Sequence, residues 1–248
     1  MDLGLNGARA LITGSTAGIG AAIAETLAQE GCHVAICSRS QDKVDAMLER
    51  LEPLPGKAIG RALDVSDHAA FSGWVGDVTD AFGGLDIFIP NVSAMTTDWK
   101  AMVDTDILGT VSEVDTVLPH LLESDRAAVV YISSIAGMVG VPPLAAYGAI
   151  KAAMSHYMKS LSMKLVKKGV RVNAVAPGDI LFPGGIWDRV QQGDPDQFAR
   201  VLKRNPMGRL GTPQEIANTV AFLASPAASF ITGSQVVVDG GNTQHVQG

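Results

Sequence analysis

The stretch Thr13-Gly14-Ser15-Thr16-Ala17-Gly18-Ile19-Gly20 decides the reading of this chain. Ala8 to Thr13 ahead of it is a short apolar run of strand character. Behind it, Ala21 to Glu30 reads as a helix that ends at Gly31, a residue suited to a helix C-cap. Strand, glycine turn and helix in that order form the setting a dinucleotide pyrophosphate requires. Glycines let the backbone approach the phosphates, and the helix N-terminus offers N–H groups and a favourable dipole. Gly14, Ser15, Gly18, Ile19 and Gly20 are the candidate contacts.

The next strand, His33 to Cys37, ends in Ser38-Arg39-Ser40. In NAD-binding folds a carboxylate at this place holds the ribose 2′-hydroxyl. Here Ser38 replaces it and Arg39 follows. A guanidinium suits a 2′-phosphate, which it can bond through two N–H groups. NADP(H) is therefore expected over NAD(H), with Ser38 and Arg39 in the ribose site.

Further strands are expected at 58–65, 86–90, 127–132, 170–175 and 235–239. Helices are expected between them, at 41–51, 66–82, 103–122, 146–167 and 213–223, with Thr212 capping the last. This alternation predicts an α/β fold: a single-domain, Rossmann-type, doubly wound parallel sheet of about seven strands with helices on both faces. The ligand site then lies at the carboxyl ends of the strands. The polar segment at 179–209 follows a strand end on that side and is a candidate substrate lid.

Composition bounds the function. The chain has 248 residues, 47% hydrophobic and 18% charged, with a net charge of −6. That is ample core material for one large domain spanning 1–248. No basic run stands out, so nucleic acid is not an expected partner. Cys32 and Cys37 are the two cysteines, and they flank a strand rather than forming a metal-ligand pair. No metal site is expected. No apolar stretch reaches bilayer length and no signal peptide is evident, so a cytoplasmic protein with no membrane partner is expected.

Tyr147 and Lys151 lie four residues apart on one helical face. A Lys ammonium beside a phenol favours the phenolate, which makes the Tyr a usable acid or base near neutral pH.

Together these motifs resemble the short-chain dehydrogenase/reductase family, and the resemblance spans nearly the whole chain. It rests on Thr13 to Gly20, Asp64, Asn91, Ser134, the Tyr147–Lys151 pair, Pro177-Gly178 and the closing Val238-Asp239-Gly240-Gly241. It implies that Tyr147 exchanges a proton with the substrate oxygen while hydride moves to or from the nicotinamide. It implies that Lys151 supports Tyr147 and holds the nicotinamide ribose, and that Ser134 bonds the carbonyl or alkoxide oxygen. Asp64 and Val65 would flank the adenine, and Asn91 the adenosine ribose region. Pro177, Gly178 and Ile180 would border the nicotinamide together with Val175. A homotetramer is the implied assembly, with a dimer as the alternative.

Three departures stand out. Pro90-Asn91-Val92-Ser93 replaces the family's Asn-Asn-Ala-Gly, Asp106 stands where an Asn is usual, and Phe182 replaces a Thr. An Asp at 106 would pair with Lys151 and alter how protons leave the site. Apolar residues at 135–144 and at Leu181, Phe182, Ile186 and Trp187 suggest a small, largely apolar ketone or secondary alcohol as substrate. Two other readings compete with the oxidoreductase. One is a cofactor-binding scaffold or sensor with little turnover. The other is an isomerising or eliminating enzyme that retains its cofactor.

Overall fold

A computed structural model describes residues 2–244. Seven parallel strands form one sheet in the order β3-β2-β1-β4-β5-β6-β7. They are β1 (Arg9–Thr13), β2 (His33–Ser38), β3 (Ala58–Ala62), β4 (Ile87–Ile89), β5 (Ala128–Ile132), β6 (Arg171–Pro177) and β7 (Gln235–Val238). Helices α1 (Gly18–Gln29), α2 (Gln41–Leu51) and α3 (His68–Phe82) follow the first three strands. The chain then forms α4 (Trp99–Met102), a π-helical segment (Val103–Gly109), α5 (Thr110–Leu121) and α6 (Ala145–Leu165). After β6 come α7 (Ile186–Gly193), α8 (Pro195–Arg204) and α9 (Pro213–Ala224).

Because the strands are covered on both faces, they read as continuous apolar runs. One face packs Phe71 of α3, Val114 of α5 and Met154 of α6 against Leu11, Phe88 and Val129. The other packs Ile23 of α1, Met47 of α2 and Val220 of α9 against Ile12, Ile36 and Ile89. β1 pairs with β2 on one side and β4 on the other. The order of the chain reverses there, which opens a crevice at the carboxyl ends of β1 and β4.

Several boundaries differ from the sequence expectation. β4 stops at Ile89 because Pro90 has no N–H to donate, although the Pro90 carbonyl still accepts from Ile132. β3 ends at Ala62, three residues early. α3 starts at His68, since the Asp67 carboxylate caps it by accepting from Ala70 N–H. The helix expected at 103–122 begins earlier, at Trp99 behind an Asp98 cap, and contains the π segment. The polar segment at 179–209 holds two helices. They enclose a small core of Phe198, Val201 and Leu210 with Leu181, Trp187, Val190 and Leu202 packed on it. No described helix is long and apolar enough to cross a membrane.

Candidate active site

Two adjoining cavities line the crevice. The larger, about 790 Å³, runs from Gly14, Thr16 and Ala17 past Ser38, Arg39, Ser40 and Lys43 to Asp64, Val65 and Asn91. The smaller, about 290 Å³, brings Gly18, Ile19 and Gly20 together with Ser134, Tyr147, Lys151, Pro177, Gly178 and Ile180. Ala17, Asn91 and Ser93 border both.

The glycine turn fits a dinucleotide. A Cβ on Gly20 would lie 2.3 Å from the Gly14 carbonyl oxygen, so only glycine permits this tight return of the chain. α1 starts with no side-chain cap and no acidic residue in its first turn. Its first amides are thus left for an anion. Asn91 braces the turn: its side-chain amide donates to the carbonyls of Thr13 (3.0 Å) and Gly14 (3.1 Å), and its backbone N–H donates to Thr13 Oγ1. Ser15 points the other way. It is buried, donates to Ile12 O and accepts from Cys37 N–H, so its side chain ties the turn to β2 instead of lining the cleft. Asp64 accepts from the backbone and hydroxyl of Ser66, and these bonds hold its carboxyl below the usual range.

On the other side of the crevice, the turn after β5 seats against α6. A Cβ on Gly148 would lie 2.6 Å from Ala136 O, so Gly148 lets the two backbones touch. That contact brings Ser134 beside Tyr147 and Lys151. Ser134 accepts from Ala136 N–H at 3.1 Å, which fixes its rotamer at the start of a short 3₁₀ turn. Lys151 is buried. Its ammonium donates to Tyr131 Oη and to Ile132 O, each at 3.1 Å, and lies 5.7 Å from the centroid of the Tyr147 ring.

Asp106 is 1% exposed, on the π segment. Its Oδ2 accepts from Ala94 N–H at 2.8 Å, and its Oδ1 stands 3.5 Å from Lys151 Nζ, an ionic contact without a hydrogen bond. It therefore pins the loop after β4 and faces the Lys at once. Met95 in that loop has φ 45°, the one described non-glycine residue in the left-handed region, and it lines the smaller cavity.

Val175, expected at the nicotinamide, is instead buried in the core under the sheet. The apolar wall comes from Met95, Phe182, Ile186 and Trp187, whereas Leu181 belongs to the small core of the 179–209 segment. The residues at 135–144 do not line this cavity. Lys43, Thr16 and Met95 were missed from sequence. Lys43 had a signal: it falls in the first turn of α2, close after Arg39.

The chain has many relatives among known proteins. A family profile described as enoyl-(acyl carrier protein) reductase matches residues 14–243. Isoepoxydon dehydrogenase patN of Penicillium expansum is 37% identical over 251 residues, covering 97% of this chain and 96% of that protein. This chain belongs to the short-chain dehydrogenase/reductase family. The 3-oxoacyl-[acyl-carrier-protein] reductase FabG of Thermotoga maritima is 32% identical, with 96% of this chain and 98% of that protein covered. The L-sorbose reductase of Gluconobacter frateurii, solved in complex with NADPH and L-sorbose, superposes with a TM-score of 0.91 at 28% identity. That match covers 99% of this chain and all of the other. This short-chain dehydrogenase/reductase is thus an oxidoreductase of a family that transfers hydride with a nicotinamide cofactor.

Proposed function

We propose that this enzyme interconverts a carbonyl and a secondary alcohol on a small, largely apolar molecule, with NADP(H) as the preferred nicotinamide. The observation that carries the reading is the convergence of Ser134, Tyr147 and Lys151 on one cavity that adjoins the glycine turn. When bound, the cofactor supplies or takes up a hydride at nicotinamide C4. Gly14, Gly18, Ile19, Gly20 and the first amides of α1 hold its pyrophosphate. Asp64, Val65 and Asn91 border its adenosine half, and Pro177, Gly178 and Ile180 border the nicotinamide. Ser134 bonds the reacting oxygen, and Tyr147 gives it a proton in reduction or removes one in oxidation. Lys151 stands beside Tyr147, its ammonium 5.7 Å from the centroid of the Tyr147 ring, and holds the nicotinamide ribose. Asp106 anchors the loop after β4 and balances the charge of Lys151.

Arg39 and Lys43 at the lip of the larger cavity support a 2′-phosphate on the cofactor. The wall of Met95, Phe182, Ile186 and Trp187 supports an apolar substrate. Exposed Leu108, Met163 and Val166, on the π segment and in and just after α6, support burial of these faces in a homotetramer. The segment at 179–209 acts as the substrate lid.

A screen of carbonyls and alcohols with both nicotinamides tests the reading, followed at nicotinamide absorbance. Tyr147→Phe should lower kcat at least ~100-fold, the scale of general acid–base catalysis, with an unchanged circular dichroism spectrum. Full activity in that variant would remove Tyr147 from the reaction.

A further inference from the structure

The face of β5 turned to α6 carries a second tyrosine. Side chains alternate along a strand, so Val129 and Tyr131 enter the core shared with α3, α5 and α6, whereas Val130 and Ile132 enter the opposite one. Tyr131 is 1% exposed and lines neither cavity. A phenol buried this deeply needs a partner for its hydroxyl. The partner is on α6: Tyr131 Oη accepts from Lys151 Nζ at 3.1 Å, and the ammonium lies 4.9 Å from the centroid of the Tyr131 ring. The next residue of the strand adds a second bond, since Ile132 O accepts from the same Nζ at 3.1 Å. Burial first, and the charge of Asp106 in addition, push the Tyr131 hydroxyl up, so it remains a neutral phenol.

Asp106 competes for that ammonium. Its Oδ2 accepts from Ala94 N–H at 2.8 Å, which fixes the carboxylate. Its Oδ1 stands 3.5 Å from Lys151 Nζ and has no hydrogen-bond partner among the described residues. Opposite charges attract strongly in a buried site. A hydrogen bond between them would close to about 2.7–2.9 Å. The gap is thus held open against an attraction. A lysine ammonium has three N–H donors on a flexible stem, so the lysine is the partner free to move. Two of its donors are committed to β5, a strand held in the sheet between β4 and β6.

We propose that Tyr131 is a positioning residue of the catalytic centre: its hydroxyl holds the Lys151 ammonium on β5 and keeps it from closing onto Asp106. The inference rests on the oxidoreductase reading above, in which Lys151 serves Tyr147 and the nicotinamide ribose from that position. Tyr131 itself touches neither substrate nor cofactor. Its place also accounts for the acid at 106. A carboxylate beside the lysine of the site is workable when a second group restrains the lysine. Without the phenol oxygen, Lys151 keeps only its bond to Ile132 O on β5, and the unpartnered Oδ1 of Asp106 takes the freed donor. The positive charge then stands in a different place relative to Tyr147.

Tyr131→Phe removes one oxygen and keeps the ring. In a crystal structure of that variant Nζ should close on Asp106 Oδ1, from 3.5 Å to about 2.8 Å. Its kcat should fall at least about tenfold, as small misplacements of a catalytic group do, while the substrate KM stays within about threefold because Tyr131 lines neither cavity. Asp106→Asn keeps an oxygen for Ala94 N–H and removes the pull on the lysine. In that background the same change at Tyr131 should cost no more than about twofold in kcat. Losses that simply multiply, or an ammonium that stays in place in Tyr131→Phe, overturn the proposal. A further measurement needs no variant of Tyr131. The chain has three tyrosines, so Tyr147→Phe leaves Tyr131 and Tyr157. With carbon-13 at tyrosine Cζ, adding Lys151→Met in that background should move one of the two resonances. Two unmoved resonances overturn the proposal even if Tyr131→Phe does not fold. If the parent enzyme turns over no substrate, the oxidoreductase reading fails, and the position of Nζ in Tyr131→Phe still decides the proposal.

Discussion

Arg39 is exposed at the end of β2, on the rim of the larger cavity, with Lys43 one turn further along the chain and Asp64 nearby. Two cations on one rim favour the cofactor that carries an extra phosphate. A charge-assisted bidentate contact is worth roughly 1.5–3 kcal/mol. Arg39→Ala should therefore narrow the preference for NADP(H) over NAD(H) by about 10- to 100-fold, with Lys43 retaining part of it. Calorimetric titration of both cofactors into both proteins measures this, and a parent protein with equal affinity for the two would refute it. Residues of this kind were legible in the sequence because their neighbours in the chain identify them: Gly14, Gly18 and Gly20 by the turn, Tyr147 and Lys151 by helical spacing. Ser15 was legible in place but not in direction, since burial against Cys37 was decided by β2. Tyr131 was not legible, because the Lys151 ammonium that its hydroxyl accepts from comes from α6, a separate element. The two cysteines are buried thiols whose ionisation burial pushes up to about 12, which leaves them unreactive near neutral pH.

At the scale of elements, the sheet is fastened at the end away from the cavities. Asp86, fully buried just before β4, accepts from Arg9 N–H and Nε, from Arg9 Nη2 at 2.5 Å and from the Ser124 hydroxyl at 2.7 Å. Arg126 Nε stands 3.6 Å away. One carboxylate thus ties β1 to β4 and to the turn entering β5. Burial alone would raise the Asp86 carboxyl, but the bonds from Arg9 and Ser124 outweigh it and hold the group below its ordinary value. A depressed carboxylate contributes stability that is present above its unfolded pKa and lost as pH falls through the folded one. That loss belongs below about pH 4. Asp86→Ala strands Arg9 partly buried and should cost roughly 3–5 kcal/mol in denaturant unfolding at neutral pH. It should leave turnover of the folded enzyme within about twofold, because Asp86 lies outside both cavities. A variant as stable as the parent would show that the network contributes nothing net. The strand–helix alternation that frames this network was legible from apolar runs and breakers. The π segment was not. A helical period continues through 103–109, and the wider turn is associated there with Asp106 bonding back to the loop after β4.

At the scale of the whole molecule, the described residues form two large cores and a third small one, and the third belongs to the segment between β6 and α9. Its helices were hard to read because each is short, and short helices depend on tertiary packing more than on their own propensity. Here Phe198, Val201 and Leu210 supply that packing within the segment itself. The segment is tied down at its two ends. Ile180 bridges Gly211, Arg204 pairs with Asp179 at 2.9 Å, and the Asn205 side chain donates to Asp239 O. Between those ties it meets the glycine turn through Phe182, whose ring would stand 2.7 Å from a Cβ built on Gly18. Phe182 also packs on the large core beneath the glycine turn, and with Trp187 it lines the smaller cavity, so a dinucleotide laid along the turn must contact or displace it. A segment with its own core and fixed ends can move as a unit, which is the mechanical requirement for a lid. Saturating NADPH should slow amide hydrogen exchange across residues 181–193 at least about tenfold, a local stabilisation of ~1.4 kcal/mol or more. Strands β1, β4 and β5, already protected by burial, should change little. Unchanged exchange at 181–193 under saturating cofactor would show that the segment is a fixed wall of the cavity, and the search for closure would move to the strained loop at Met95.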